Sequence, residues 1–244
     1  MNYKAVLQYD GTRYRGWQTQ GNTDNTIQGK LETLLTKMAG EPVEVNGSGR
    51  TDAGVHAAGQ VISFRCKTKE SPEEICRYMN EYLPEDIAVL TVEEAAPRFH
   101  ARLNAVRKTY VYRIWNAPIK NVFRRRFTTW IQKPLDLDAM EQAATLLCGT
   151  HDYRAFCSQK KFKKSTVRTI EKIEIGKMGQ EIRISYTGDG FLYHMVRILT
   201  GTLVEVGLGL RKPEEMTEIL EGQDRTKAGR LMPPEGLTLE SVEY

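Results

Sequence analysis

The 244-residue chain carries 35 Lys and Arg against 31 Asp and Glu, a formal net charge of +4, with 40% hydrophobic residues. That is apolar material for one large core or two small ones, and no apolar run approaches membrane-spanning length. The first residues lack the charged start, apolar middle and cleavage site of a signal peptide, so a cytoplasmic protein without membrane contact is expected.

Residues 3 to 9 alternate as a strand, and 26 to 39 place Ile27, Leu31, Leu34, Leu35 and Met38 on one face of a helix. Strand-like runs follow at 43 to 45 and 60 to 66. Ser71-Pro72-Glu73-Glu74 supplies an N-cap, a proline at the first helical position and a capping-box glutamate, which predicts a helix to about Leu83, where Pro84 stops it. A strand at 87 to 92 completes a β-α-β-β-α-β order. The second half repeats that order more loosely. It has a strand at 109 to 115, a helix at 137 to 147, strands at 167 to 175 and 181 to 187, an apolar helix after Gly190, a short helix at 213 to 220 and a last strand from Leu237.

The element order reads as an α+β fold of two ferredoxin-like halves, residues 1–104 and 105–244. They are expected to join into a mixed, mainly antiparallel sheet with helices on one side and an active-site cleft between the halves. Tyr14 and Trp17, after the first strand, read as packing residues rather than base-stacking platforms.

One stretch stands apart, Asn46-Gly47-Ser48-Gly49-Arg50-Thr51-Asp52-Ala53-Gly54-Val55-His56-Ala57. Glycines at 47, 49 and 54 permit positive φ and close approach of a ligand, which reads as an active-site loop centred on Asp52. Taken alone, the segment also fits a hairpin turn with an Asx cap. A second stretch, Gly190 to Gly201, sets Arg197 in an apolar run expected to be a buried helix, where a guanidinium is costly unless a carboxylate neutralises it. Asp52 is the acid already placed in a site-like loop.

Basic residues cluster at Arg124-Arg125-Arg126 and at Lys160-Lys161-Phe162-Lys163-Lys164, with Arg168 nearby. Either run fits a solvated loop tip or a phosphate-backbone contact, and the interleaved Phe162 tilts the second towards RNA. The four cysteines have no C-x-x-C spacing and read as buried thiols. The four histidines lack metal-ligand spacing and read as hydrogen-bonding structural residues, so no metal is expected.

Tyr9-Asp10-Gly11-Thr12, Gly16-Trp17-Gln18, Gly49 to Ala57, Phe99-His100-Ala101-Arg102, Lys108 to Arg113, His151-Asp152-Tyr153, Phe191 to Gly201 and Gly236 to Leu239, in that order, resemble the tRNA pseudouridine synthase A family over nearly the whole chain. Leu231-Met232-Pro233-Pro234 departs from the Thr-Ala-Pro type approach expected before the last strand, which bears on one wall of the pocket. The resemblance implies isomerisation of uridine to pseudouridine at positions 38 to 40 of the tRNA anticodon stem-loop, without a cofactor, by a homodimer in which one tRNA spans both subunits.

By the same resemblance Asp52 is the nucleophile and Arg197 its ion-pair partner. Asp52 would attack ribose C1′, attack uracil C6 or remove the 2′ proton, and the sequence leaves these three routes open. Arg50 would fill the space left by an extruded base or contact a phosphate. Tyr110 would pack on the target base, although its strand alternation also fits a core residue. Lys160, Lys161, Lys163, Lys164 and Arg168 would bind the RNA backbone. A non-catalytic RNA-binding protein would explain the basic loops but has no use for a buried Asp and Arg pair. A hydrolase using Ser48, Asp52 and His56 lacks the G-x-S-x-G elbow, and a metal phosphodiesterase would need more clustered acids and histidines.

Overall fold

Strand β1 (Asn2–Tyr9) buries every second side chain, Tyr3, Ala5, Leu7 and Tyr9, in the computed structural model, which describes residues 1–159 and 161–244. Helix α1 (Ile27–Ala39) starts where the Thr26 hydroxyl accepts from the Gly29 amide and ends at the left-handed Gly40, with Ile27, Leu31, Leu34 and Leu35 turned inward. Strands β2 (Val45–Gly47) and β3 (His56–Arg65) come next. Helix α2 (Pro72–Tyr82) carries the full capping box, in which the Ser71 hydroxyl accepts from the Glu74 amide and the Glu74 carboxylate accepts from the Ser71 amide. Strand β4 (Ile87–Glu94) lies antiparallel to β1, β1 antiparallel to β3, and β2 antiparallel to one end of β3 with Val45 opposite Phe64. This is the β-α-β-β-α-β unit read from the element order. Strand β3 starts four residues earlier than periodicity indicated, because Gly59 interrupts its alternation.

The second unit opens with β5 (Arg107–Asn116), to which the short β6 (Thr129–Ile131) adds in parallel. Helix α3 (Leu137–Leu146) is capped by Asp136, whose carboxylate accepts from the Ala139 amide. Strands β7 (Gly149–Asp152), β8 (Val167–Met178) and β9 (Glu181–Gly188) follow, in the antiparallel order β5-β9-β8-β7. Both β6 and β7 are too short for a periodic signal and were not legible. Helix α4 (Met195–Gly207) buries twelve of its thirteen residues, and the short α5 (Glu215–Gly222) follows it.

The closing strand β10 (Leu237–Glu243) pairs in parallel with β3, Thr238 opposite His56 and Leu239 opposite Ala57. The chain therefore forms two compact units, Met1–Val106 with Thr238–Tyr244, and Arg107–Leu237. Its strands make a mixed, mainly antiparallel α+β architecture with five helices among the described residues. Among the described residues no helix is long and apolar enough to cross a membrane. Cys66 and Cys157 are buried thiols as read, whereas Cys76 and Cys148 are only half-buried.

Candidate active site

The loop from Gly47 to Val55 is fixed by a buried polar network rather than by apolar packing. Its centre is Gln60, fully buried on β3. The Gln60 amide oxygen accepts from the Ser48 hydroxyl at 2.6 Å and from the Gly49 amide at 3.3 Å, while its nitrogen donates to the Gly49 carbonyl at 2.9 Å and to the Tyr9 hydroxyl at 3.4 Å. Tyr9 and the Thr51 hydroxyl meet at 2.8 Å. Burial raises the Tyr9 pKa well above the usual phenol range, against the smaller lowering from Thr51 and Gln60, so the ring stays neutral. The Thr51 carbonyl also accepts the Trp17 amide at 3.0 Å, and the Asp52 carbonyl accepts the Val55 amide at 3.1 Å. The backbone on either side of Asp52 is thereby pinned, while the side chain itself is half-buried.

Of the three loop glycines, only Gly54 adopts a positive φ, +79°, at the turn after Asp52. Gly47 is required for a different reason than expected: the Trp17 indole occupies the place of a Cβ, at 2.5 Å. Trp17 and Tyr14 are buried packing residues, as read. Ser48 is fully buried and gives its hydroxyl to Gln60, which removes it as a nucleophile open to substrate and disposes of the hydrolase reading. His56 Nδ1 accepts the Gly11 amide at 3.0 Å beside Asp10, a structural role.

Arg50 is exposed on this loop. Its charge is felt by Arg102, whose pKa is lowered by burial first and by Arg50 second, so the two guanidinium groups belong to one cationic patch on the first unit. Arg102, although part of a quoted motif, was not singled out as a site residue in the sequence. The signal it left was an arginine two residues beyond a histidine in a turn.

Asp52 and Arg50 stand in the first unit; Tyr110, Arg197 and the basic loop stand in the second. Tyr110, on β5 opposite Tyr186, is 9% exposed and meets the Phe191 ring edge-on at 5.2 Å. Arg197 sits in the third position of α4 and is 8% exposed, with its Nε donating to the Met232 carbonyl at 2.7 Å. Gly201 lets that segment approach the helix, because a Cβ there would lie 1.9 Å from the Arg230 carbonyl oxygen. The Gly229 amide donates to Thr202 Oγ1 at 2.9 Å on the same helix, and the Tyr112 hydroxyl donates to the Pro233 carbonyl at 2.7 Å. The Leu231 to Pro234 segment thus holds Arg197 through a backbone carbonyl, a function its atypical side chains leave intact.

Lys160 lies outside the described residues. Lys161, Lys163 and Lys164 are exposed, and Arg154 lies over the Phe162 ring at 5.7 Å. Arg168 donates to the Ser165 and Val167 carbonyls and is half-buried. The Arg124 to Arg126 run is less available than its composition indicated: Arg124 pairs with Glu181, a carboxylate 2% exposed that also takes Arg183 Nε at 2.7 Å. A buried carboxylate needs such partners.

A family profile described as tRNA pseudouridine synthase matches residues 5–104 and 143–244, which include Asp52 and Arg197 and leave out Tyr110. Tyr110 therefore rests on the strand motif alone. The chain is 48% identical over 243 residues to the tRNA pseudouridine synthase A of Bacillus sp. (strain KSM-64), covering 100% of this chain and 99% of that protein. It is 44% identical over 243 residues to tRNA pseudouridine synthase A 2 of Bacillus anthracis, with the same coverage. It is 46% identical over 241 residues to the tRNA pseudouridine synthase A of Brevibacillus brevis, covering 99% and 98%. Among solved structures, a Cbf5-Nop10-Gar1 complex is similar at a TM-score of 0.36 and 11% identity, over 83% of this chain and 45% of that one, too slight a likeness to bear on the fold.

Proposed function

This chain belongs to the tRNA pseudouridine synthase family, and on that premise we propose that it isomerises uridine to pseudouridine at positions 38 to 40 of the tRNA anticodon stem-loop, with Asp52 as the catalytic carboxylate. The observation that carries the reading is the Asp52 loop itself. Its backbone is pinned on both sides by Tyr9, Trp17, Thr51 and Val55, which leaves a half-buried carboxylate on a rigid mount.

The reaction breaks the bond from ribose C1′ to uracil N1, turns the base while it stays bound, and joins C1′ to C5, whose proton leaves to solvent. Nothing is oxidised or hydrolysed. Each of the three openings, attack at C1′, attack at C6 or removal of the 2′ proton, begins with an ionised Asp52 beside the sugar and base. In this reading Arg197 is the ion-pair partner that keeps Asp52 ionised. Its Nε is already committed to the Met232 carbonyl, which fixes the guanidinium plane. Tyr110 packs on the uracil, with Phe191 bracing its ring. Arg50 fills the gap left by the extruded uridine or binds a neighbouring phosphate. Lys160, Lys161, Lys163, Lys164 and Arg168 hold the RNA backbone. The working form is a cytoplasmic homodimer, and the N-terminal half, residues 1–104, carries the acid while residues 105–244 carry its partners.

Asp52→Asn tests the assignment, because the amide keeps the shape and loses the charge. Tritium release from uracil C5 should fall at least about a thousandfold while tRNA affinity changes less than about threefold. Activity within about tenfold of the parent removes Asp52 from the chemistry.

A further inference from the structure

The first unit holds a groove of about 410 Å³ that the chemistry above does not use, walled by Asn46, Glu44, Arg65, Arg98, Phe99 and His100. That volume lies in the range of pockets that take small organic ligands. We infer that it is a second RNA subsite, which takes one nucleotide with its phosphate from the strand beyond the target uridine. The inference rests on the pseudouridine synthase reading.

One wall is unusually well tied for a loop. Asn2 Nδ2 donates to the Ala96 and Phe99 carbonyls at 2.8 and 3.0 Å, the Ala101 amide donates to Ser63 Oγ at 3.0 Å, and the Tyr244 hydroxyl donates to the Ala101 carbonyl at 2.7 Å. A wall held this way loses little entropy when a ligand arrives. Its polar groups are set as donors. His100 Nδ1 accepts the Arg102 amide at 3.1 Å, which leaves Nε2 as the N–H. Arg65 spends one N–H on the Pro97 carbonyl at 2.9 Å and keeps the rest of its fork. With Arg98 they suit a phosphate. Glu44 is unsuited to a second phosphate and matches the N–H donors of a base edge, while Phe99, whose ring meets Tyr244 at 5.0 Å and lies under Lys4 Nζ at 5.9 Å, adds an aromatic wall.

The groove is also contiguous in the chain with the catalytic loop. Asn46 lies on β2, which runs directly into that loop, and His100 leads into Arg102, the residue that shares a cationic patch with Arg50. A strand whose uridine is at Asp52 has a path of positive charge along this edge.

The test uses Arg98→Gln with His100→Gln in the Asp52→Asn chain, so that bound tRNA is not converted, and measures tRNA affinity at several salt concentrations. The double substitution should weaken binding about tenfold at about 0.1 M salt and lower the slope of log affinity against log salt by about 0.7 to 0.9. Arg98→Lys should keep the parental slope. If the double variant melts early, Arg98→Gln alone, at an exposed side chain, should still lower the slope. Unchanged affinity and slope in folded variants overturn the groove. Tritium release by the unmodified chain is assayed alongside. Normal release with unaltered binding overturns the groove alone, and no release overturns the function on which it rests.

Discussion

The two units hold the side chains proposed for the site by opposite means. In the first, Asp52 rides on a loop, and the loop is fixed by side-chain polar groups: Gln60, Tyr9, Ser48 and Thr51, all buried and mutually hydrogen-bonded. In the second, Arg197 and Tyr110 sit on a regular helix and strand, and their placement comes from apolar packing and from backbone carbonyls such as that of Met232. A polar network fixes one geometry, because every member must be satisfied. A packed helix tolerates side-chain variation in the segment that meets it, provided the backbone stays, and it is the Met232 carbonyl of Leu231-Met232-Pro233-Pro234 that holds Arg197.

After the loss expected of Asp52→Asn, the largest effect is at the junction of function and packing. Arg197→Met should lower turnover about a hundredfold or more, since on the proposed pairing it removes the partner of Asp52 and leaves that carboxylate uncompensated. The pH profile of the remaining activity should move to higher pH, as the Asp52 carboxylate becomes harder to ionise. An unchanged profile means the two residues do not act together.

Gln60→Leu attacks the polar mount. It removes the shared partner of Ser48, Gly49 and Tyr9 from a dry interior and should cost about 3 kcal/mol, a fall in melting temperature of roughly 10 °C. A fall of less than about 2 °C would show the loop to be held by packing after all.

A smaller, pH-dependent effect belongs to the first unit alone. Asp86 accepts from Arg13 Nε at 2.8 Å and from the Tyr14 hydroxyl at 2.5 Å, which anchors the segment leading to Trp17. Burial pushes the Asp86 pKa up, but these hydrogen bonds outweigh it and the net movement is down. A carboxyl depressed in the folded state adds stability above its unfolded pKa, near about 3.9, and loses it as pH falls through the lower folded value. Asp86→Asn should therefore destabilise by about 1–2 kcal/mol at neutral pH, discounted because Arg13 is largely exposed, and the gap to the parent should narrow as pH falls below the unfolded carboxylate range. A constant gap from about pH 7 to about pH 3 would contradict the ionic account of Asp86.

The smallest effect is on the surface. Neutralising Lys160, Lys161, Lys163 and Lys164 should reduce the salt slope of tRNA binding by about 0.7 to 0.9 for each phosphate no longer neutralised, with less change in turnover at saturating tRNA. Reduced affinity at an unaltered slope means the loop acts through its shape.

Much of this was legible because periodicity and capping are local. Ser71 to Glu74 encode α2 almost to the residue, and Leu31, Leu34 and Leu35 encode the buried face of α1. The two-residue error at β2 and the missing β6 and β7 have one cause: three or four residues carry too little alternation to register. At the site, the Gly-rich loop was visible but its physics was not. Gly47 is small to admit Trp17, not to reach positive φ, and Gln60, an ordinary polar residue in the sequence, is the keystone of the loop. Long-range contacts of this kind leave no spacing signal. The closing strand shows the same limit, since nothing at Thr238 or Leu239 announces a parallel pairing with His56 and Ala57.

The central claim is that this chain converts uridine to pseudouridine in the anticodon stem-loop. Purified protein incubated with unmodified tRNA transcript, followed by mass-spectrometric mapping of pseudouridine, tests it directly. The account predicts pseudouridine at positions 38 to 40 and none with the Asp52→Asn chain; pseudouridine confined to other positions, or an Asp52→Asn chain as active as the parent, would contradict it.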